Sequence, residues 1–290
     1  MSALFDLFIA PFADFAFMQR ALAGSLLLSL GACPVGVFLM LRRMSLAGDA
    51  MAHAILPGAA VGFLLFGLEI LPMTIGGIIA GIIVALSAGA VSRFTVQRED
   101  ASMAAFYLIS LALGVLVVSL RGSSVDLMHV LFGTVLALDN EALMLIGAIA
   151  TVTLAGLAVF WRALVAECLD PLFLRSVSRL GSTVHFVFLG LVVLNLVGGF
   201  QALGTLLSVG LMILPAAAAR FWAFRIEPMC VLAVLIGSAS CISGLLLSYH
   251  ASLPSGPAII LSAGVVYVAS VLFGSRGILR THITQRHRTA

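Results

Sequence analysis

The sequence predicts an all-α fold, a polytopic membrane helix bundle in one integral-membrane domain that covers residues 1–290. Hydrophobic residues make up 62% of the 290 residues and charged residues only 9%, whereas an ordinary soluble domain carries roughly 25% charged residues. Several apolar stretches reach the length of about 20 residues that a helix needs to cross the hydrocarbon core of a membrane. The charged connections between these stretches are too short to contain a soluble domain.

The apolar segments predict about eight or nine transmembrane helices. They cover residues 20–41, 45–66, 72–91, 101–120, 141–161, 182–200, 203–219, 230–249 and 257–275. Residues 1–19 lack the basic region of a signal peptide, and Asp6 and Asp14 interrupt their apolar run, so we expect an interfacial lead-in. The stretch 182–219 contains either two short spans with a turn at GGFQALG (198–204), or one span followed by a half-helix.

The basic residues predict the orientation of the chain. All 15 are arginine, and basic residues concentrate on the cytoplasmic side of membrane proteins. When the basic tail 276–290 is placed in the cytoplasm, only Arg20 and Arg121 fall on the outer side. We therefore predict an outer N-terminus and a cytoplasmic C-terminus. The absence of lysine excludes a Walker A loop, whose lysine contacts the nucleotide phosphates, so any ATP must be bound by another chain.

Small residues predict where helices approach each other closely. The second segment carries such residues at every fourth position, namely Ala50, Ala54, Gly58 and Gly62. Small residues with this spacing let the backbones of two membrane helices come together. We expect a close helix contact along this seam.

Asp49 and His53 are the strongest candidates for a functional site. Residues four apart lie on the same face of a helix, and ionisable side chains in a membrane span normally face a partner, a cavity or a pathway. A carboxylate oxygen and an imidazole nitrogen suit zinc, manganese or ferrous iron. The alternatives are a helix-capping role for Asp49 and a hydrogen-bonded packing role for His53.

Two ligands do not complete a metal site, but a two-fold homodimer supplies two carboxylates and two imidazoles. His250, in LSYHASLPSGP, is either a weak metal ligand at the outer mouth or a polar loop residue. The four cysteines are scattered without a C-x-x-C pair, so we expect them to pack as small apolar side chains. The chain has neither an H-E-x-x-H helix nor a G-x-S-x-G turn, and we expect no catalytic residues.

The connection RALVAECLDPLFLRSVSRLG (162–181) mixes charged and apolar residues. It predicts a short amphipathic helix that begins after the Asp170–Pro171 step. The apolar ridge of such a helix fits either a cytoplasmic partner protein or the lipid headgroups.

Several blocks of the sequence resemble one protein family. The block LRRMSLAGDAMAHAILPGAAVGFLL is similar to the signature of the permease subunits of metal-ion ABC importers, the zinc, manganese and iron group. Four further blocks resemble parts of the same family: EDASMAAFYLISLALGVLVVSL, VDLMHVLFGTVLAL, LMILPAAAARFWA and LLLSYHASLPSGPAIIL. The resemblance covers nearly the whole chain, from about Arg20 to Phe273.

The resemblance implies a transport subunit of the bacterial cytoplasmic membrane without ATPase activity of its own. Permeases of this family form a homodimer around a central path, dock two cytoplasmic ATPase subunits through a coupling helix, and receive metal from a periplasmic or surface-tethered binding protein. In that pattern Asp49 and His53 match the metal site of the pathway. The segment 167–181 matches the coupling region, with Glu167, Asp170, Pro171, Leu172, Phe173, Arg175 and Arg179 as its candidate contact residues. Membrane lipid is the other expected partner, and no nucleic acid is expected.

We expect no permanently bound cofactor, and the metal is the transported substrate. Zinc is favoured because imidazole with carboxylate at a low coordination number suits it, while manganese prefers more oxygen ligands. The alternatives are a manganese or iron permease of the same family, a siderophore or cobalamin permease, and an ATP-independent divalent cation transporter. The last would need more acidic residues in mid-membrane.

Overall fold

The computed structural model describes residues 10–67, 69–97, 99–120, 138–169 and 180–279, and all regular elements in these ranges are α-helices. They are α1 (Ala10–Asp14), α2 (Ala16–Leu41), α3 (Ser45–Phe66), α4 (Ile70–Phe94), α5 (Glu99–Leu120), α6 (Asn140–Leu169), α7 (Leu180–Leu203), α8 (Thr205–Ala219), α9 (Ile226–Ala251) and α10 (Ser255–Phe273). Seven helices in the described ranges are long and apolar enough to cross a membrane, while the apolar stretches of α5 and α8 are shorter. The predicted multi-pass helix bundle is confirmed.

Helix α2 lies at the centre of the bundle. It packs against α6, α8 and α9, and its residues 31–39 are all buried. The helix begins at Ala16, so residues 16–19, which the sequence assigned to the lead-in, belong to the first long helix. Arg20 accordingly lies within the helix and not at its start.

Helices α3, α4 and α5 form a closely packed group. Gly58 of α3 lies against the backbone of Gly76 in α4, so closely that a Cβ atom on Gly58 would overlap the Gly76 carbonyl oxygen. Helix α5 packs on α3 as well, because the Ser110 hydroxyl donates a hydrogen bond of 3.0 Å to the carbonyl oxygen of Ala54. The small-residue seam of α3 is therefore used for contact with neighbouring helices.

The break between α7 and α8 is a single residue. Helix α7 continues to Leu203, where the sequence predicted a turn over 198–204, and only Gly204 leaves the helical conformation, with a φ of 93°. The Ser208 hydroxyl lies 3.5 Å from the carbonyl oxygens of Asn195 and Leu196, so α8 folds back along α7. With 15 residues, α8 is only about 22 Å long, shorter than the hydrocarbon core of about 30 Å. This length fits both alternatives for the segment 203–219, a short span and a half-helix.

Helix α6 extends beyond the predicted segment 141–161 and ends only at Leu169. The reason is that residues 162–169 continue to pack on the bundle: Leu164 is fully buried and Glu167 is 7% exposed. The predicted connection 162–181 is therefore helical in its first part. The amphipathic helix predicted after Pro171 falls on residues outside the described ranges.

Candidate metal site

Helix α3 begins directly after a tight turn at the end of α2. Arg43 has a φ of 59°, and the N–H of Met44 bonds to the carbonyl oxygen of Leu39 at 3.0 Å. Met44 precedes the first helical residue, Ser45, and makes no side-chain capping hydrogen bond. Asp49 thus lies more than one turn inside the helix, and the capping alternative for Asp49 is wrong.

The side chains of Asp49 and His53 point the same way from α3. Asp49 Oδ1 lies 3.9 Å from His53 Nε2, and the two side chains are 65% and 35% exposed. Two ligand atoms at about 2.1 Å from one metal ion are at most about 4.2 Å apart. The observed spacing is therefore short enough for one ion to contact both atoms.

The second ring nitrogen of His53 does not fix the side chain by a hydrogen bond, as it would in a hydrogen-bonded packing histidine. Its Nδ1 atom is buried and has no hydrogen-bond partner. The nearest aromatic neighbour is Tyr107 of α5, whose ring centroid lies 6.3 Å from that of His53. The imidazole is thus positioned by packing against α5 while its Nε2 atom faces Asp49.

A cavity of about 320 Å³ opens beside the pair. On the α3 side it is lined by Asp49, Ala52 and His53, and on the opposite side by the first two turns of α8, namely Thr205, Leu206, Val209 and Gly210. Transporters commonly bind substrate where a short or interrupted helix begins inside the membrane. The sequence did not predict this wall, although the shortness of segment 203–219 was a signal for it.

One chain supplies two metal ligands at this site. Within the described ranges, no third histidine, cysteine, aspartate or glutamate joins Asp49 and His53. The described acidic residues other than Asp49 lie near the ends of helices. A complete site needs ligands from outside this single chain or from water.

The structure does not bring His250 to the pair. His250 is in the last turn of α9, is exposed, and contacts the ring of Tyr249 edge-on at a centroid distance of 5.2 Å. It does not line the cavity of Asp49 and His53. The cysteines are all unpaired thiols in the interior or at its margin, as the sequence suggested.

The coupling candidates fall into two groups. Glu167 is in the last turn of α6, where its carboxylate is buried against Arg42. A coupling role for Glu167 must therefore act through Arg42 and not by direct contact with a partner protein. The remaining candidates, Asp170, Pro171, Leu172, Phe173, Arg175 and Arg179, lie outside the described ranges.

A second polar cluster, which the sequence did not predict, lies at the α2–α3 turn. Arg42 Nη2 is 2.7 Å from Glu167 Oε2, and His185 Nδ1 is 3.5 Å from Glu167 Oε1. A signal existed, because ionisable residues near span ends normally pair with one another and these three fall at the same predicted face. Because Arg42, Glu167 and His185 are far apart in the sequence, no local pattern indicated that they are in contact.

Comparisons with known proteins agree with this fold. The chain is 30% identical over 263 residues to the manganese import system permease protein ScaB of Streptococcus gordonii, covering 91% of this chain and 93% of that protein. It is 32% identical over 270 residues to the manganese transport system membrane protein MntC of Listeria monocytogenes (93% and 95% covered). It is 29% identical over 273 residues to the chelated iron transport system membrane protein YfeD of Yersinia pestis (94% and 90% covered).

A solved structure and a family model give the same result. A chain in the structure of PsaBC from Streptococcus pneumoniae in complex with Fab superposes with a TM-score of 0.83 at 29% identity, covering 99% of this chain and 100% of that chain. The model of the ABC 3 transport family matches residues 14–274. The chain therefore belongs to the ABC 3 transport family, and it is a multi-pass membrane permease whose ATPase is a separate chain.

Proposed function

We propose that this permease carries a divalent transition metal ion through a central path between two copies of the chain, with Asp49 and His53 of both copies as the metal ligands. The observation that carries the proposal is the geometry of the pair: the two ligand atoms are 3.9 Å apart and face a cavity. No arginine of the described ranges pairs with Asp49.

The incomplete ligand set supports a homodimer. One copy provides one carboxylate and one imidazole, and the Asp49 side chain is 65% exposed in the isolated chain. An exposed carboxylate in a membrane helix is costly unless it faces a partner or a water-filled path. A two-fold axis beside this face of α3 would bring both pairs together and supply four ligands.

Manganese is our first candidate for the metal, ahead of the zinc that the sequence alone favoured. Relatives at 30% and 32% identity are named as manganese import or transport proteins, and another at 29% as a chelated iron transport protein. Manganese favours carboxylate and water ligands. The cavity of about 320 Å³ has room for several metal-bound waters beside the protein ligands.

The partners we propose are those of an ATP-driven importer. Two ATPase subunits dock at the cytoplasmic face through the region 167–181, and a periplasmic or surface-tethered protein delivers the metal. The orientation with an outer N-terminus and a cytoplasmic C-terminus belongs to this proposal. It is supported by the arginine distribution, which is concentrated at one face when all nine apolar segments cross the membrane, α8 included as a short span.

Two other functions receive less support. An ATP-independent cation transporter would need further acidic residues in mid-membrane, and the described acids other than Asp49 lie near helix ends. A permease for a siderophore or for cobalamin has no need for a paired carboxylate and imidazole in its path. The competing substrates are included in the following experiment.

The test is metal uptake by the permease reconstituted in liposomes with its ATPase and its binding protein. We expect uptake of Mn²⁺ that requires ATP, with Zn²⁺ and Fe²⁺ as competitors and an iron–siderophore chelate as a negative substrate. Asp49→Asn and His53→Ala remove a ligand, so we expect uptake to fall by more than about tenfold, since even residues that only support a ligand often matter by that much.

The matched control is Leu65→Ala. Leu65 is on the same helix, sixteen residues after Asp49 and on a different face, and is 65% exposed, but it carries no metal ligand. We expect this variant to transport like the wild type. Wild-type uptake in Asp49→Asn and His53→Ala would reject the proposed site, and preference for Zn²⁺ would replace manganese with zinc.

A further inference from the structure

A buried ionic cluster joins three helices at one end of the bundle. We call Arg42, Glu167 and His185 the Arg42 cluster. Arg42 Nη2 donates a hydrogen bond of 2.7 Å to Glu167 Oε2, and Arg42 Nη1 is 3.4 Å from His185 Nδ1. The side chains of Arg42 and Glu167 are 7% and 8% exposed. The cluster therefore links the end of α2 to the end of α6 and the start of α7.

The surroundings of Arg42 make Glu167 its main partner. The guanidinium carbon lies 4.1 Å from the centre of the Phe188 ring, and the Nε atom is buried without a hydrogen-bond partner. The stability of a buried charged side chain depends strongly on the opposite charge beside it. The Arg42–Glu167 ion pair is thus a firm connection between α2 and α6.

Arg42 is also directly connected to the metal ligands. It is the first residue after α2, the turn at Arg43 follows, and α3 begins at Ser45. Asp49 follows Arg42 by seven residues and lies four residues beyond Ser45, about 6 Å along the axis of α3. A displacement of Arg42 is therefore transmitted to the start of α3, which carries Asp49 and His53.

Glu167 lies at the other end of the connection. It is two residues before the end of α6, and the chain continues from there into the region predicted to contact the ATPase. Among the described helices, α6 packs extensively against α2 and α7 but not against α3. Two routes therefore lead from the end of α6 to α3. One runs through α7, which packs on both helices, and the other runs through Arg42 and the α2–α3 turn, from which the chain continues to Asp49.

We propose that Arg42 and Glu167 are positioning residues that couple movement of the end of α6 to the metal ligands of α3. The inference rests on the proposed function, because it concerns how ATP hydrolysis in the partner chain acts on Asp49 and His53. Movement of the end of α6 displaces Glu167, the ion pair displaces the α2–α3 turn, and the ligand pair moves with it. An ion pair with only a structural role would stabilise the fold without affecting this coupling.

The test uses the double variant Arg42→Met with Glu167→Leu in the complete reconstituted complex. Replacing both partners of a buried ion pair with apolar residues of similar size often preserves the fold. The readouts are the number of Mn²⁺ ions transported per ATP hydrolysed and the amount of Mn²⁺ bound without nucleotide. We expect the transport ratio to fall about fivefold or more, in the range of typical coupling between two sites, while Mn²⁺ binding is retained.

The matched control is the double variant Thr153→Val with Asn195→Leu. It removes a buried hydrogen bond of 2.8 Å between α6 and α7, another internal polar contact of α6, at a position away from the α2–α3 turn. We expect the control to keep the wild-type transport ratio. A fall of the ratio in the control as large as that in the Arg42 and Glu167 variant would overturn the proposal.

Each remaining outcome also decides the question. An unchanged ratio, or a parallel fall of binding, hydrolysis and transport, shows a structural role only and overturns the proposal. If the double variant does not assemble, the same ratio is measured in Glu167→Gln, which keeps the shape of the side chain and removes its charge. Failure of both variants to assemble also overturns the proposal. A wild-type complex without ATP-driven Mn²⁺ uptake would reject the proposed function instead, so the two failures are distinguishable.

Discussion

Two polar groups lie on either side of the α2–α3 turn, and they differ in almost every physical respect. Arg42 is buried and forms an ion pair of 2.7 Å with Glu167. Asp49 is 65% exposed, and its nearest opposite group is the imidazole of His53 at 3.9 Å. The charge of the first group is paired within the chain, and the Asp49 carboxylate has no arginine beside it.

The difference shows why ionisable residues in an apolar chain need their partners identified before a role is assigned. A buried ion pair is satisfied internally and has little capacity to take a further ligand. A carboxylate and an imidazole without a cation beside them keep their lone pairs for an external ion. We therefore assign the Arg42 cluster a role in connecting helices, and Asp49 and His53 a role in metal binding. Four variants test this assignment.

The largest effect on stability is expected for Glu167→Leu. The substitution leaves Arg42 as an uncompensated buried charge, which costs about 3–5 kcal/mol. The free energy of unfolding in detergent, measured by denaturant titration, checks this value. The double variant Arg42→Met with Glu167→Leu is the control and is expected to recover most of the loss. Equal stability of Glu167→Leu and wild type would remove the distinction between the two groups.

A smaller loss is expected for Gly58→Ala in the seam that supports α3. The added Cβ atom would overlap the carbonyl oxygen of Gly76, and overpacking of this kind costs about 1–3 kcal/mol. Gly264→Ala in α10 is the control, because no atom lies within 4 Å of a Cβ placed there. If Gly58→Ala is as stable as Gly264→Ala, α3 is not fixed by this seam.

Asp49→Asn is expected to change stability very little. Its side chain is mostly exposed, and substitutions of that kind stay within about 0.5 kcal/mol. The same unfolding experiment gives the value, with wild type measured alongside. A loss as large as that of Glu167→Leu would show that Asp49 belongs to an internal ion pair and would contradict its assignment as a metal ligand.

The smallest effect is expected for His250→Ala. His250 is exposed at the end of α9 and does not line the cavity. We therefore expect Mn²⁺ uptake to change by less than about twofold, because surface substitutions usually change the free energy by no more than about 0.5 kcal/mol. Initial uptake rates in liposomes provide the measurement. A loss comparable to that of His53→Ala would make His250 a ligand of the pathway.

The sequence predicted the fold class, the positions of the long helices and the Asp49–His53 pair because these features are local. A helix of about 20 apolar residues is recognised by its length, and residues four apart share a face whatever the tertiary structure. The close contact at Gly58 was predicted for the same reason, since small residues at every fourth position are visible in a single helix.

Tertiary contacts were not predictable in the same way. The ion pair of Arg42 and Glu167 joins residues 125 positions apart, and no local pattern specifies which acid meets which arginine. Beyond the single-residue break at Gly204, Ser208 packs against the carbonyl oxygens of α7, a contact that no local pattern specifies. The wall of the cavity formed by α8 follows from that break and so was missed as well.

The number of manganese ions bound per permease chain tests the central claim most directly. Purified complex without nucleotide is equilibrated with Mn²⁺, and bound metal and protein are quantified for wild type and Asp49→Asn. Because each chain contributes one carboxylate and one imidazole, we expect one ion for every two permease chains, and no ion at this site in Asp49→Asn. One ion per single chain, or binding that is unchanged in Asp49→Asn, would contradict a metal site shared between two copies.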